Sequence, residues 1–257
     1  MTSSRSSTNT SRKTTVDPPR TADHQASEAG HALQQEARFG AAFLKRHGWR
    51  LALVFAGLLL PLWGFAELAD EIHGQDVIPF DEPILRFAHG LASPGADRAF
   101  VWISEAGYLN GVVPLDIALV LVLTFLRRFR EATFAAIALG GSALLNMATK
   151  LAFARERPSL WESIMPEITF SFPSGHAMGS ATLAWVLVLL AWQTRWHWPV
   201  IALAVPFVLL VGFSRVYLGV HFPSDILAGW AAASAWAAVV YLVAFRGHLR
   251  PWRRAEP

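Results

Sequence analysis

Ile226-Leu-Ala-Gly-Trp-Ala-Ala-Ala-Ser-Ala-Trp-Ala-Ala-Val-Val-Tyr-Leu-Val-Ala-Phe245 runs without a single Asp, Glu, Lys or Arg. The hydrocarbon core of a bilayer is about 30 Å thick and takes roughly 20 helical residues to cross. A helix also satisfies its own backbone hydrogen bonds, as hydrocarbon demands. Working outward, Trp196–Ser214, Ile168–Thr194, Ala132–Thr149 and Leu51–Ala66 lack the same four residue types, and Gly107–Leu126 has only Asp116. These runs predict six spans, at about 50–69, 108–126, 131–151, 175–193, 198–215 and 225–245. Composition agrees. Of 257 residues, 53% are apolar and 16% charged, against about 25% charged in an ordinary soluble domain. That excludes a water-soluble globule, and disorder over most of the chain. The absence of cysteine excludes disulfides, thiol nucleophiles and Cys-based metal sites.

The ends read differently. Ten of the first fifteen residues are Ser or Thr, followed by Asp17-Pro18-Pro19-Arg20. Residues 1–48 are therefore expected to be a disordered polar tail, with no secretory signal in it. Residues 49–247 form the expected six-helix membrane domain, and 248–257 a short basic tail. The net charge is +3, and the cations sit where a membrane rather than nucleic acid would use them. Lys45, Arg46 and Arg50 precede the first span; Arg127, Arg128 and Arg130 follow the second; Arg195 follows the fourth; Arg246, Arg250, Arg253 and Arg254 follow the sixth. With six spans these groups share one face, so both termini are expected to be cytoplasmic. The acidic connection after span one holds Phe80, Ile84, Leu85, Ala88 and Leu91 on one helical stripe. It reads as a short helix in the outer interface, or alternatively as a solvated loop. The expected class is thus all-α and polytopic, with six transmembrane helices and one interfacial helix.

Three clusters fall on the outer side of this scheme. The first is Lys150-Leu-Ala-Phe-Ala-Arg-Glu-Arg157-Pro158. On a continuing helix Lys150 and Arg157 would share a face, roughly 10 Å apart along the axis, with Pro158 ending the helix nearby. The second is Phe172-Pro173-Ser174-Gly175-His176. Ser174 suits an N-cap, and the free amides of a helix start attract anions. The third is Ser214-Arg215-Val-Tyr-Leu-Gly-Val-His221-Phe-Pro-Ser-Asp225. An Asp four residues after a His can fix the imidazole tautomer, leaving the other nitrogen as a nucleophile. Singly, each has an ordinary reading: a snorkelling anchor, a capped helix, a polar loop. Together, Lys150, Arg157 and Arg215 make a site for a multiply charged anion, phosphate above all. Two histidines with different neighbours suggest nucleophile and acid.

The set resembles the signature of the type-2 phosphatidic acid phosphatase superfamily: Lys-x6-Arg-Pro, Pro-Ser-Gly-His and Ser-Arg-x5-His-x3-Asp. Every signature position is matched, by Lys150, Arg157 and Pro158; by Pro173 to His176; and by Ser214, Arg215, His221 and Asp225. The resemblance covers about residues 50–245. It implies that His221 attacks phosphorus to form a phosphohistidine, that Asp225 orients His221, and that His176 protonates the leaving group. It also implies that Lys150, Arg157, Arg215, Ser174 and the Gly175 amide hold the phosphoryl oxygens, with no metal or other cofactor. A site at headgroup level beside the spans suits a lipid phosphate or diphosphate, such as phosphatidate, phosphatidylglycerophosphate or a polyprenyl diphosphate. The expected location is the plasma (inner) membrane, with the site on its outer side and membrane lipids around it. Asp116 inside span two reads as a helix-to-helix hydrogen bond or as a functional charge. Three rival functions share the motifs or the spans: a phosphotransferase with a lipid or glycan acceptor, a non-enzymatic lipid-binding protein, and a vanadate-dependent oxidation enzyme.

Overall fold

The computed structural model describes residue 48 and residues 54–245. The expected tail over 1–48 (Gly48 apart), the first residues of span one, the terminal cation groups and the basic end 248–257 lie outside the described residues. Among those described, the structure is helical without a strand. A π-helical turn, Phe55–Leu59, leads directly into α1 (Leu60–His73). Then come α2 (Asp81–His89), α3 (Pro94–Ala106), α4 (Val112–Phe125), α5 (Phe129–Phe153), α6 (Gly175–Ala191), α7 (His197–Tyr217) and α8 (Pro223–Ala244).

Among the described residues three helices, α5, α7 and α8, are long and apolar enough to cross a membrane. Helices α4 and α6 are equally apolar but have 14 and 17 residues, about 21 and 26 Å at 1.5 Å per residue. The fourth span starts at its expected residue and is two residues shorter. The second is shorter because Gly107–Gly111 form turns instead of helix. Helix α1 runs past its expected end through Glu67, Asp70 and Glu71 to His73.

Two connections differ from expectation. The acidic connection does form a short helix, but its buried face is Asp81, Leu85 and Ala88, while Phe80, Ile84 and Leu91 are exposed. Its inner face packs on Val216 and Ile226 of α7 and α8, which selects a narrower stripe than periodicity suggested. Helix α3 was not expected, although its start carries a familiar signal. Ser93 Oγ accepts the Ala96 amide at 3.3 Å, and Pro94 takes the first position, where its missing N–H costs nothing.

Helix α6 lies at the centre, packed on α5, α7 and α8, while α1 packs along α8. Phe172 from the segment before α6 is fully buried against Ala228 of α8 and against α1. Close approach at the site end depends on Gly229 of α8. A Cβ there would lie 2.9 Å from the Ser174 carbonyl, so any side chain would push α8 away from the start of α6. Ser142 of α5 and Thr182 of α6 join hydroxyls at 2.8 Å across the buried seam. Leu121, Leu144 and Leu203 instead point outward and are 62–75% exposed. Such an apolar exterior suits lipid rather than water.

Candidate active site

Helices α5 and α7 end where α6 and α8 begin, and the three clusters meet at that end. The first cluster reaches it by another route than a continuing helix. Helix α5 stops at Phe153, with Ala154 left-handed at φ 45°. Lys150 therefore sits in the last helical turn, whereas Arg157 arrives on the loop to α6. Pro158 bars helix there, yet the break precedes it by four residues.

His221 lies just before α8, whose first residue is Pro223. His221 thus stands outside the helix that carries Asp225. Asp225 still reaches it, because Asp225 is the third residue of α8 and folds back over the helix start. Its Oδ2 accepts the Phe222 amide at 2.9 Å and lies 3.3 Å from His221 Nδ1. The Ser171 hydroxyl donates to the same oxygen. A carboxylate at Nδ1 keeps the proton on that nitrogen, so Nε2 carries the lone pair. Nε2 faces Arg157 Nη1 at 3.2 Å, an N–H that can only donate. Burial first, then the positive charges of Arg157, Arg215 and Lys150, hold His221 well below the ordinary histidine value. The ring is neutral at pH 7, and its Nε2 lone pair points into a cluster of cations.

Glu167, from the loop between α5 and α6, is the hub of that cluster. Its Oε2 accepts Arg157 Nη2 at 2.7 Å, and its Oε1 accepts Arg215 Nη2. Arg157 is further fixed by the carbonyls of Val220 and Thr169, each at 2.6 Å. Lys150 Nζ donates to the Phe170 carbonyl and lies 3.2 Å from Thr169 Oγ1. Arg215 is fully buried in the last turn of α7 and donates to Ser104 of α3. Its Nε has no hydrogen-bond partner among the described residues. An arginine out of water requires anions around it, and Glu167 is the carboxylate that meets it.

His176 stands in the first turn of α6, 4.0 Å from Glu167 Oε1 through Nδ1. Its ring lies against Tyr108 with centroids 4.8 Å apart. Ser174 caps α6, its Oγ accepting the Ala177 amide at 3.4 Å. Its own amide donates to the Asp225 carbonyl at 3.1 Å, tying the starts of α6 and α8. Gly175 faces Asn146 of α5, with 3.0 Å between its would-be Cβ and Asn146 Oδ1. All eight expected site residues, Lys150, Arg157, Ser174, Gly175, His176, Arg215, His221 and Asp225, thus lie at one end of the bundle. Asp116 lies outside this group, on α4. Its buried Oδ1 has no hydrogen-bond partner among the described residues, so the expected helix-to-helix bond is absent at that oxygen.

This constellation has counterparts in known proteins. Residues 131–248 match the family model described as the PAP2 superfamily. Phosphatidylglycerophosphatase B of Bacillus subtilis is 33% identical over 172 residues, which cover 65% of this chain and 84% of that one. The chain belongs to the PAP2 superfamily. An undecaprenyl-diphosphatase of Sulfolobus acidocaldarius is 28% identical over 195 residues, or 74% of this chain and 87% of that one. Among solved structures, a transmembrane PAP2-type phosphatidylglycerolphosphate phosphatase from Bacillus subtilis superposes with a TM-score of 0.64 at 29% identity. The superposition covers 71% of this chain and 93% of that one. The protein is accordingly a membrane phosphatase of the PAP2 type.

Several polar residues of this PAP2 site went unassigned in the sequence. Glu167 and Ser171 lie in a loop with no periodicity to expose them. Ser104 and Tyr108 come from α3 and its exit, far away in the chain. Arg155, inside the first cluster, reaches Asp225 Oδ1 at 2.5 Å and Asp81 Oδ2 at 2.8 Å. A partly buried Arg set between two carboxylates cannot be told from a solvated Arg by sequence spacing. Among the described residues no group of three His, Cys, Asp or Glu is arranged to hold a metal ion.

Proposed function

We propose that this PAP2 protein hydrolyses a lipid phosphate or diphosphate through a phosphohistidine on His221. The observation that carries the reading is the His221 ring. Its Nδ1 sits on Asp225 at 3.3 Å and its Nε2 on Arg157 at 3.2 Å, at the edge of the Arg157–Arg215 cluster. Nε2 attacks phosphorus while Lys150, Arg157, Arg215, Ser174 and the Gly175 amide hold the non-reacting oxygens. Phosphoryl transfer is mostly positioning and charge stabilisation, and guanidinium groups supply both. His176 gives its proton to the leaving oxygen, then takes one from water as water attacks the phosphohistidine. Asp225 holds the imidazole in its tautomer throughout. Glu167 bridges Arg157 and Arg215 with two oxygens, as two oxygens of a phosphoryl group would, and swings aside when substrate binds.

The substrate class is phosphatidate, phosphatidylglycerophosphate or a polyprenyl diphosphate, with the tail remaining in lipid. Relatives named for phosphatidylglycerophosphate and undecaprenyl diphosphate support that class. We further propose six spans over 49–247, both termini cytoplasmic, polar tails at 1–48 and 248–257, and a site on the outer side of the plasma membrane. Arg127 and Arg128 lie between α4 and α5, Arg130 in the first turn of α5 and Arg195 between α6 and α7, at the end of the bundle away from the site. That charge bias marks a cytoplasmic face. The test is phosphate release by purified protein from a panel of lipid phosphates and diphosphates, with and without EDTA. Turnover of at least one lipid substrate, unchanged by EDTA, is expected. No release from any, or full loss in EDTA restored by a divalent metal, contradicts the proposal.

A further inference from the structure

Asp225 is fully buried, and its two oxygens are served from different sides. Oδ2 takes the Ser171 hydroxyl, the Phe222 amide and His221 Nδ1. Oδ1 takes Arg155 Nη1 at 2.5 Å. The same Nη1 lies 2.8 Å from Ser224 Oγ, and Nη2 reaches Asp81 Oδ2 at 2.8 Å. Asp81 is itself 4% exposed and accepts both the Ser224 amide at 2.8 Å and the Ser224 hydroxyl at 2.6 Å. The Phe222 ring covers the guanidinium, 4.1 Å from Cζ to centroid. Arg155 is thus a planar clamp between two carboxylates, one on α2 and one on α8, with an aromatic lid.

We infer that Arg155, held by Asp81, is a positioning residue for the proposed nucleophile, acting through Asp225. The inference rests on the phosphohistidine reading above. Arg155 has no hydrogen bond to Arg157, His176 or His221 and belongs to a different layer from the phosphate-holding cations. Its charge balances a carboxylate removed from water, which would otherwise be costly to keep ionised. By occupying Oδ1 it turns Oδ2 toward His221. A carboxylate that drifts by about 1 Å loses its hold on the imidazole, and misplacement of that size can cost about 10²-fold in rate. Asp81 extends the clamp to α2, so this short helix helps set the geometry of the reacting ring. Lysine at 155 would keep the charge but could not span both carboxylates in one plane.

The test is a double-mutant cycle in the full-length purified protein, read as kcat, KM and inhibition by inorganic phosphate. Arg155→Met should lower kcat about 10²-fold and leave KM and phosphate inhibition within about twofold. On an Asp225→Asn background the same change should cost less than about threefold, because a residue that acts through Asp225 has nothing left to position. Arg155→Lys should recover part of the loss. A raised KM with kcat unchanged would overturn the inference by making Arg155 a substrate contact. So would a full additional loss on the Asp225→Asn background. If Arg155→Met does not fold, Asp81→Asn and Arg155→Lys carry the same cycle with the same two outcomes. Loss of turnover in Asp225→Asn without loss in Arg155→Met sinks this inference alone. Unchanged turnover in Asp225→Asn sinks the phosphohistidine reading with it.

Discussion

At the residue scale, His221 is built to stay uncharged. Burial and the neighbouring Arg157, Arg215 and Lys150 lower its proton affinity in the folded protein, while in the unfolded chain it titrates near 6.5. The unfolded state therefore binds the extra proton first as pH falls. Above about pH 6.5 the contribution of His221 to stability is pH-independent; below it, stability declines by up to about 1.4 kcal/mol per pH unit. Comparing thermal unfolding of native protein and His221→Gln between pH 5 and 8 checks this. The native protein should lose Tm on acidification more steeply than the variant; equal slopes would contradict it. Nitrogen NMR of the imidazoles should likewise show His221 neutral at pH 6. Much of the site was legible at this scale because Lys150, Arg157, Ser174, His176, Arg215, His221 and Asp225 stand at spacings that chemistry restricts. Arg155, Glu167 and Asp81 were not. Their partners come from other elements, and nothing local marks a charge as paired and buried.

At the element scale, the geometry depends on how closely the start of α6 meets α8. Gly229 allows it: a methyl there would lie 2.9 Å from the Ser174 carbonyl and 3.1 Å from Ala177 Cβ. Gly229→Ala is expected to cost about 1–3 kcal/mol, the usual price of overpacking, and to lower turnover by moving Ser174 and Gly175. Thermal unfolding in detergent together with phosphate release measures both; an unchanged Tm with full activity would show that α8 can give way freely. Apolar runs read well as helices because an uncharged stretch of that length has few other solutions. Helix ends read less well. Pro158 drew the expected end of α5 toward itself, whereas the left-handed Ala154 ends it first. Helix α3 carries Asp97, Arg98 and Glu105 and so offers no charge-free run, although Ser93-Pro94 announced its start.

At the scale of the whole molecule, the apolar exterior and the family establish a membrane phosphatase, and the proposed sidedness adds a direct consequence. The native chain has no cysteine, so Leu160→Cys and Arg128→Cys report on single positions. An impermeant thiol reagent applied to intact cells should label position 160 and reach position 128 only after lysis; the reverse pattern would invert the topology. Six crossings could be read from the sequence as apolar runs; among the described residues three helices reach full spanning length, and turns at Gly107–Gly111 and after Ala191 shorten α4 and α6. The convergence of all three clusters at one end is a property of helix order. Alternating helices bring the end of α5, the start of α6, the end of α7 and the start of α8 together. The central claim is that His221 takes the phosphoryl group. Rapid quenching of purified protein during turnover of a radiolabelled lipid phosphate, followed by peptide mapping at alkaline pH, tests it directly. The account predicts an acid-labile, alkali-stable phosphoryl group on His221 that is absent, with phosphate release, in His221→Ala. Label on another residue, or undiminished release by a folded His221→Ala protein, would contradict it.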